Sequence, residues 1–265
     1  MIPENAPHYI NVRDLKVLIT AGGAGIGRVI AEKLCAGGAR VHVTDISEEA
    51  IAEATSGTPG LTGSRSDASD VKDADCLLKE VEEKLDGLDM LVNNVGIAGP
   101  TGGIETYEDS DAEESIDVNL TSHFYMLKRF VPLLKNSTKN PSILAMSSVG
   151  GRLGYGLRTP YAAAKWGIIG MVKSLAVELG PFGIRANAIL PGITAGPRLD
   201  RVIAARAEAM GVTFEEMRES YVSKVSMRRA VEPEDIANLA VFLASDLARN
   251  ISGQAISVDG NIEYL

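Results

Sequence analysis

The strongest constraint on the fold of this chain is an alternation of short, almost wholly apolar runs with longer amphipathic ones. The short runs are rich in β-branched and aliphatic residues, which is typical of strands. They are KVLIT (16–20), RVHVTD (40–45), LDMLVNN (88–94), SILAMSS (142–148), IRANAIL (184–190) and QAISVDG (254–260). Strands without polar alternation need cover on both faces, as in a parallel sheet with helices on each side.

Helices are predicted between these strands, over 25–38, 70–85, 111–135, 161–180 and 232–248. Glycine closes the first and fourth of them, and Pro233 lies near the start of the last, in keeping with the preferences of helix ends. The pattern predicts a doubly wound α/β fold, a parallel sheet with helices on both faces. No repeat or linker marks a second domain, so residues 1–265 are interpreted as one domain, with 1–13 as an N-terminal extension.

Composition narrows the classes of partner. A net charge of −9 argues against nucleic acid, and no apolar run is long enough to cross a membrane. The first residues lack the pattern of a secretory signal, and Cys35 and Cys76 show no zinc or disulfide spacing. His8, His42 and His123 are too scattered to predict a metal site. We therefore expect a cytoplasmic, reduced protein without a metal.

The glycine-rich stretch TAGGAGIG (20–27) joins the first strand to the first helix. Glycines there let backbone amides approach a pyrophosphate, while the helix N-terminus supplies partial positive charge. Asp45 ends the next strand, where a carboxylate accepts hydrogen bonds from a ribose diol and repels a 2′-phosphate. NAD is therefore favoured over NADP. Alternatively, Asp45 caps the helix that begins near Ser47, and Asp67 either holds the adenine amino group or caps the following helix.

The stretch TPYAAAKWG (159–167) places Tyr161 and Lys165 four positions apart at a helix start, hence on the same helix face. An ammonium near a phenol favours the phenolate, which would make Tyr161 a proton donor and acceptor near neutral pH. The alternative is a surface tyrosine and a solvated lysine on an alanine-rich helix.

Taken together, these motifs resemble the short-chain dehydrogenase/reductase family over about Leu15 to Gly260. TAGGAGIG resembles its TGxxxGxG loop, NNVG (93–96) its NNAG, and PGITAG (191–196) the segment that lines the nicotinamide. The resemblance implies four catalytic residues: Asn119, Ser148, Tyr161 and Lys165. Tyr161 would transfer the substrate proton, Ser148 would bind the same substrate oxygen, and Lys165 would bind the nicotinamide ribose, while Asn119 would hold a water that links Lys165 to solvent.

The implied cofactor-binding residues extend along the carboxyl ends of the strands. They are Gly22, Gly25, Ile26, Gly27, Asp45, Asp67, Ala68, Asn94, Gly96, Tyr161, Lys165, Pro191, Gly192, Ile193 and Thr194. The chain departs from the family pattern at Ala21, Val95 and Gly196, where glycine, alanine and often threonine are usual. We expect cofactor binding to survive because Gly22 and Gly23 keep the turn permissive.

The resemblance implies hydride transfer between NAD and a small polar secondary alcohol or ketone, such as a sugar, polyol or hydroxy acid. Alternatives are a 3-oxoacyl thioester reductase and a non-catalytic NAD-binding sensor or assembly protein. The resemblance implies assembly into dimers and tetramers through the long central helices, here 111–135 and 161–180, and the C-terminal region, so a homotetramer is expected.

Substrate specificity is assigned to the segment of about 196–230, interpreted as a lid, and to the loop 150–160. Basic residues outnumber acidic ones between Gly196 and Arg229, and Arg158 precedes Tyr161 on the opposite wall. Arginine binds carboxylate, sulfonate or phosphate groups through a planar fork. An anionic substrate is one hypothesis, and surface or interface ion pairs are the alternative.

Overall fold

In the computed structural model, which describes residues 10–264, seven strands form one parallel sheet. The strands are β1 (Lys16–Ile19), β2 (Arg40–Asp45), β3 (Leu61–Arg65), β4 (Met90–Asn93), β5 (Ser142–Met146), β6 (Arg185–Pro191) and β7 (Ala255–Val258). Their spatial order is β3-β2-β1-β4-β5-β6-β7, so the winding direction reverses between β1 and β4. The predicted doubly wound fold is thereby confirmed. Residues 1–9, with His8 and most of the predicted extension, lie outside the described part.

Nine helices of the described chain cover the two faces of the sheet and one of its edges. They are α1 (Gly25–Ala36), α2 (Glu48–Gly57), α3 (Val71–Leu85), α4 (Asp109–Ile116), α5 (Ser122–Lys135), α6 (Thr159–Leu179), α7 (Pro197–Met210), α8 (Phe214–Ser223) and α9 (Pro233–Ala244). The predicted helix over 111–135 is α4 and α5 joined by a π-helical turn, Asp117–Thr121. Such wide turns are common at functional sites. Within residues 10–264, no helix has both the length and the apolar character of a membrane span.

One strand, β3, was not among the predicted apolar runs. Its sequence, LTGSR, is mixed because β3 is an edge strand, paired only to β2 and partly exposed. The central strands β4, β5 and β6 are buried along their whole length. Apolar content therefore marks the central strands and the edge strand β7, whereas it does not mark the other edge strand, β3.

The core has two layers, one on each face of the sheet. On one face α1 packs against α9, with Ile30, Leu34 and Leu243 buried between them. On the other face α3, α5 and α6 bury residues such as Phe130 and Ile168. Burial of one such large apolar side chain contributes roughly 1.5–3 kcal/mol. These layers hold the parallel strands so that their carboxyl ends meet at one edge.

A third, smaller apolar cluster lies beyond that edge, under α7 and α8. It joins Ile203 of α7 and Met217 of α8 to Val149, Val225 and Ile262. The segment interpreted as a lid therefore has a core of its own. That core holds α7 and α8 beside the carboxyl ends of β5 and β6.

Candidate active site

A cavity of about 660 Å³ opens at the carboxyl edge of the sheet. Its lining combines the turn after β1, the ends of β2, β4, β5 and β6, the start of α6, and α7 and α8. Ligands of doubly wound sheets bind at this edge, where the strand order reverses. We call the lining residues Ala21, Ala24, Gly25, Ile26, Asp45 and Asn94 the cofactor wall, and Tyr155, Arg158, Arg198, Arg201 and Tyr221 the substrate wall.

The glycine-rich turn is held in place by the end of β4. The Asn94 side-chain amide donates to the Thr20 carbonyl at 3.1 Å and to the Ala21 carbonyl at 2.9 Å. The Thr20 hydroxyl accepts from the Asn94 backbone amide at 3.0 Å. A side chain at Gly27 would lie 2.5 Å from the Ala21 carbonyl and from the Asn94 amide. Gly27 is therefore a packing requirement of the turn.

The N-terminus of α1 faces open space in the cofactor wall. Ala24 precedes the helix in extended conformation, no described side chain caps its first turn, and that turn contains no acidic residue. Gly25 has a φ of +57°, and a side chain placed on it would meet no described atom within 4 Å. Free helix N-terminal amides beside such a gap fit a pyrophosphate group.

Asp45 reaches the cavity and does not cap α2. Its carboxylate accepts from the backbone amides of Gly23 at 3.2 Å and Ser47 at 3.1 Å. The helix cap is Ser47, whose hydroxyl accepts from the Ala50 amide at 3.1 Å. The capping alternative for Asp45 is wrong, and its carboxylate lines the cavity beside the glycine-rich turn.

Asp67 and Ala68 are not in the cavity lining formed by the described residues. The Asp67 carboxylate accepts from the Ser69 amide at 2.9 Å and the Ser69 hydroxyl at 2.6 Å. Asp70, not Asp67, caps α3, by accepting from the Lys72 amide at 2.6 Å. Ala68 is buried against the core beside α3. The predicted contact of this loop with adenine stays a prediction.

Ser148, Tyr161 and Lys165 come together in the cavity, from the end of β5 and the start of α6. Tyr161 is 8% exposed and Lys165 is 3% exposed, so a solvated surface pair is ruled out. A Cβ atom at Gly150 would lie 3.6 Å from both the Ser148 hydroxyl and the Tyr161 ring, which places these groups around one small space. The Ser147 hydroxyl donates to the Lys165 carbonyl at 2.8 Å and ties α6 to β5.

Lys165 is enclosed at the junction between the two walls. Its ammonium donates to the Met146 carbonyl at 2.9 Å and lies 5.7 Å from the centre of the Tyr161 ring. Burial, together with the positive charges of Arg198 and Arg158, lowers the pKa of Lys165 from 10.5 to about 7. The lysine is thus poised to exchange a proton near neutral pH.

Asn119 is buried within the π-helical turn, next to Lys165. Its side-chain amide donates to the Ser115 carbonyl at 2.9 Å. Its side-chain oxygen has no partner among the described residues. A side chain at Gly96 would lie 2.7 Å from that oxygen and 3.2 Å from the Lys165 ammonium. The arrangement fits a water between Asn119 and Lys165, which remains a proposal.

The segment after β6 is fastened to the start of α9. Val231 donates to the Ile193 carbonyl and accepts from the Ala195 amide, both at 2.8 Å. Pro191, Gly192, Ile193 and Thr194 all line the cavity. The Thr194 hydroxyl donates to the Gly192 carbonyl at 3.3 Å.

One of the three departures from the family pattern, Gly196, has a backbone explanation, and a second, Ala21, carries a backbone cost. Gly196 has a φ of +130°, a conformation that is essentially restricted to glycine, so threonine would be strained there. Ala21 has a φ of +50°, which costs an L-residue about 1–2 kcal/mol, and it occupies the position where glycine is usual. Val95 packs against the core beside α3 and α5.

Tyr155 and Tyr221 were not singled out from the sequence. Their hydroxyl oxygens lie 2.9 Å apart, although the residues are separated by 66 positions. Tyr155 also contacts the Tyr161 ring edge-on, with ring centres 6.3 Å apart. The separation of Tyr155 and Tyr221 along the sequence does not predict that their hydroxyl groups meet. The only sequence signal was that they fall in the loop and the lid to which specificity was assigned.

A parallel doubly wound sheet with a glycine-rich turn and a buried Ser–Tyr–Lys group defines a nicotinamide-dependent oxidoreductase of the Rossmann type. A family model described as "Enoyl-(Acyl carrier protein) reductase" matches residues 20–261. Together with the relatives described next, this match shows that the chain belongs to the short-chain dehydrogenase/reductase family, as the motifs predicted.

Similar proteins agree with this assignment. A tropinone reductase homolog of Arabidopsis thaliana is 34% identical over 95% of this chain and 94% of its own. L-Rhamnose 1-dehydrogenase (NAD(P)(+)) of Azotobacter vinelandii is 32% identical over 94% of this chain and 96% of its own. The crystal structure of a levodione reductase superposes with a TM-score of 0.88 at 28% identity, covering 94% of this chain and 97% of its own.

Proposed function

We propose that the protein transfers a hydride between NAD and a small polar secondary alcohol or the matching ketone. The observation that carries the proposal is the burial of Ser148, Tyr161 and Lys165 in one cavity with the glycine-rich turn. The similarity to a rhamnose dehydrogenase and a levodione reductase supports an alcohol or ketone substrate.

The residues present fit a nicotinamide dinucleotide. The free end of α1 would hold the pyrophosphate, Asp45 the adenosine ribose, Lys165 the nicotinamide ribose, and Ile193 and Thr194 the nicotinamide. When bound, the nicotinamide ring supplies the site that accepts or donates the hydride.

NAD is preferred over NADP in this proposal because of the charge on Asp45. Arg65 is the strand partner of Asp45 and could offer a cation to a 2′-phosphate. Its guanidinium is instead 3.7 Å from the Asp73 carboxylate. With Asp45 at the cavity and Arg65 directed to Asp73, a 2′-phosphate would meet repulsion without a matching attraction.

In the oxidation direction, Tyr161 takes the proton from the substrate hydroxyl. The Ser148 hydroxyl bonds the same substrate oxygen, so it orients the substrate and stabilises the charge that develops on oxygen. Lys165, with a pKa lowered to about 7 mainly by burial, would then accept this proton from Tyr161 and pass it on toward Asn119, which regenerates the phenolate. In the reduction direction, the protons move the opposite way.

Two other functions are weighed against this one. The description of the matching family model names a reductase of acyl carrier protein substrates, which favours a 3-oxoacyl thioester reductase. A non-catalytic NAD-binding sensor would not need Ser148, Tyr161 and Lys165 together in a buried cavity. The catalytic group therefore favours an enzyme.

Absorbance of NADH at a single wavelength distinguishes these functions. The purified protein is incubated with NAD⁺ and sugars, polyols, hydroxy acids or cyclic alcohols, and separately with an acetoacetyl thioester and NADH or NADPH. We expect NADH formation with at least one alcohol. Turnover of the thioester alone, with NADPH preferred, would establish the reductase alternative, and binding of NADH without any turnover would favour the sensor.

We also propose that the protein is a homotetramer assembled through α5 and α6. Both helices expose large apolar side chains in the single chain, namely Phe124 on α5 and Trp166 and Val177 on α6. Exposed apolar groups on two neighbouring long helices are typical of an interface between copies. Light scattering at micromolar concentration tests this, and a particle of 28.0 kDa would contradict it.

A further inference from the structure

The two walls of the cavity carry opposite charges. Among the described residues that line the cavity, Asp45 is the sole acid, and it belongs to the cofactor wall. The substrate wall contributes Arg158, Arg198 and Arg201, and none of the three pairs with a carboxylate of residues 10–264. The reacting side of the cavity is therefore positive in a protein of net charge −9.

Arg158 is the decisive member of this group because it is buried, at 4% exposure. Its guanidinium donates to the Tyr155 hydroxyl at 3.2 Å and to the Ala98 carbonyl. Its Nε has no partner among the described residues. Burying a guanidinium without a counter-ion is costly, so a buried arginine normally has one.

Aromatic contacts compensate for part of this cost. The Arg158 guanidinium lies 4.2 Å from the centre of the Tyr161 ring and 4.9 Å from that of Tyr155. Such contacts stabilise a guanidinium less than an anion would in a closed site. They also orient the guanidinium, since the planar group is held against the two rings.

Tyr221 of the substrate wall cannot serve as the counter-ion itself. Burial raises its pKa, and the neighbouring Tyr155 adds to that rise. The Tyr221 hydroxyl is therefore protonated at neutral pH and brings no negative charge to its contact with Tyr155. A further guanidinium, Arg206, lies 5.3 Å from the Tyr155 ring and 5.8 Å from the Tyr221 ring, which adds positive charge behind the wall.

We infer that the substrate carries an anionic group, a carboxylate, sulfonate or phosphate, that binds Arg158 while its hydroxyl or keto oxygen contacts Tyr161 and Ser148. This inference rests on the proposed dehydrogenase function. Because the guanidinium lies against the Tyr161 ring, only a few bonds separate the anionic group from the reacting carbon. Arg198, which belongs to α7, donates to the Gly96 carbonyl at 3.0 Å. Its guanidinium is a second group that can bind the substrate anion or a cofactor phosphate.

Steady-state kinetics on matched substrates test the inference. Lactate is compared with lactamide, and 3-hydroxybutyrate with its methyl ester, each with saturating NAD⁺, together with 2-hydroxypropane-1-sulfonate. We expect the anionic members to have a kcat/KM at least about tenfold higher, as one charged hydrogen-bonded contact supplies. Arg158→Gln should abolish this difference, mainly through KM of the acid, while Arg158→Lys should retain part of it.

Two controls separate substrate recognition from other roles of arginine. Arg218→Gln on α8 removes an exposed guanidinium outside the cavity and should leave the difference intact. If Arg158 only supports Tyr161, Arg158→Gln should lower kcat for acid and neutral substrates alike, and that result would overturn the inference. If Arg158→Gln instead weakens NADH binding, its anion is a cofactor phosphate and the inference is also wrong.

A binding measurement decides the inference even if none of these alcohols is turned over. The complex of wild-type protein with NADH is titrated with lactate or 3-hydroxybutyrate by calorimetry, since these mixtures cannot react. We expect saturable binding of the acids that Arg158→Gln removes, and no comparable binding of the neutral partners. Turnover of neutral alcohols without any advantage for acids would refute the anion while leaving the proposed function standing, whereas a failure to bind NADH at all would refute the function.

Discussion

The cofactor wall and the substrate wall are built in different ways. Backbone groups form most of the cofactor wall: the turn over 20–27, the free end of α1, and carbonyls held by Asn94. Side chains form most of the substrate wall, where Arg158 and Tyr155 from one loop meet Tyr221 from α8. A backbone site tolerates many sequences with the same glycine pattern, while a side-chain site is specific to the chain that carries it. The glycine pattern of the cofactor wall is therefore shared within the family, while the side chains of the substrate wall are particular to this chain.

Catalysis should depend on the Tyr161 hydroxyl much more strongly than cofactor binding does. Tyr161→Phe removes the group that transfers the substrate proton, so we expect kcat to fall by about 10²–10⁴-fold. The affinity for NADH, measured by fluorescence titration, should change little. Retention of more than about a tenth of the wild-type kcat would show that another group moves the proton.

Tyr155→Phe is the matched control for the loss of kcat in Tyr161→Phe. It removes a hydroxyl of the substrate wall that bonds Tyr221 and Arg158 but does not transfer a proton. We expect its effect to appear mainly in KM and to be much smaller than that of Tyr161→Phe. Equal losses in the two variants would erase the distinction between catalytic and positioning tyrosines.

The burial of Lys165 should make the stability of the cofactor-free protein depend on pH. Its pKa is about 7 in the folded protein, against an ordinary value of 10.5, because burial disfavours its charge. Between these values the unfolded chain binds more protons, so stability should rise with pH, by about 2 kcal/mol from pH 7 to pH 9.

Urea unfolding of wild type and of Lys165→Met at both pH values measures this rise. Methionine does not titrate, so the variant should lack the part of the rise that belongs to Lys165. Parallel pH profiles for the two proteins would mean that the lysine is solvated and that the junction between the walls is open to water.

Asp45 should control the choice of cofactor without affecting the substrate. Asp45→Asn keeps an acceptor for one of the two backbone amides, Gly23 or Ser47, and loses the charge that repels a 2′-phosphate. We expect the ratio of kcat/KM for NAD⁺ to that for NADP⁺ to fall by about tenfold, the effect of one charged hydrogen bond. Asp45→Ala should lower it at least as far. A wild-type enzyme that already prefers NADP⁺ would contradict the assignment of this wall.

The smallest effect concerns strain in the cofactor wall. Ala21→Gly relieves the left-handed backbone at residue 21 and should stabilise the protein by about 1 kcal/mol, after the entropy cost of glycine is deducted. Ala24→Gly is the control, because Ala24 has a φ of −146° and nothing to relieve. Thermal unfolding should show a higher Tm for the first variant and a lower or unchanged Tm for the second.

Sequence reasoning predicted much of the fold because the signals it used are local. Apolar runs located the buried strands. The strand β3 was not predicted, because an edge strand such as LTGSR can form without an apolar run. The five predicted helical ranges correspond to α1, α3, α4 with α5, α6 and α9, whereas α2, α7 and α8 had no predicted range. The break of the predicted helix 111–135 by a π-helical turn was not predicted. That turn contains Asn119, which lies beside Gly96 and Lys165.

The sequence by itself determined the glycine-rich turn, the candidate role of Asp45 and the shared helix face of Tyr161 and Lys165, because each is a short motif whose geometry follows from its spacing. Ser148 joined this group only through the resemblance to the family. The tertiary structure decided that Ser47 and Asp70 cap the helices in place of Asp45 and Asp67, and that Gly196 has a backbone that threonine would strain. It also decided that Arg158 is buried without a carboxylate partner among residues 10–264, between two tyrosine rings. Whether an arginine is solvated, forms an ion pair or is free to bind a ligand depends on groups that are distant in the sequence. The spacing of residues along the chain does not show which groups surround it.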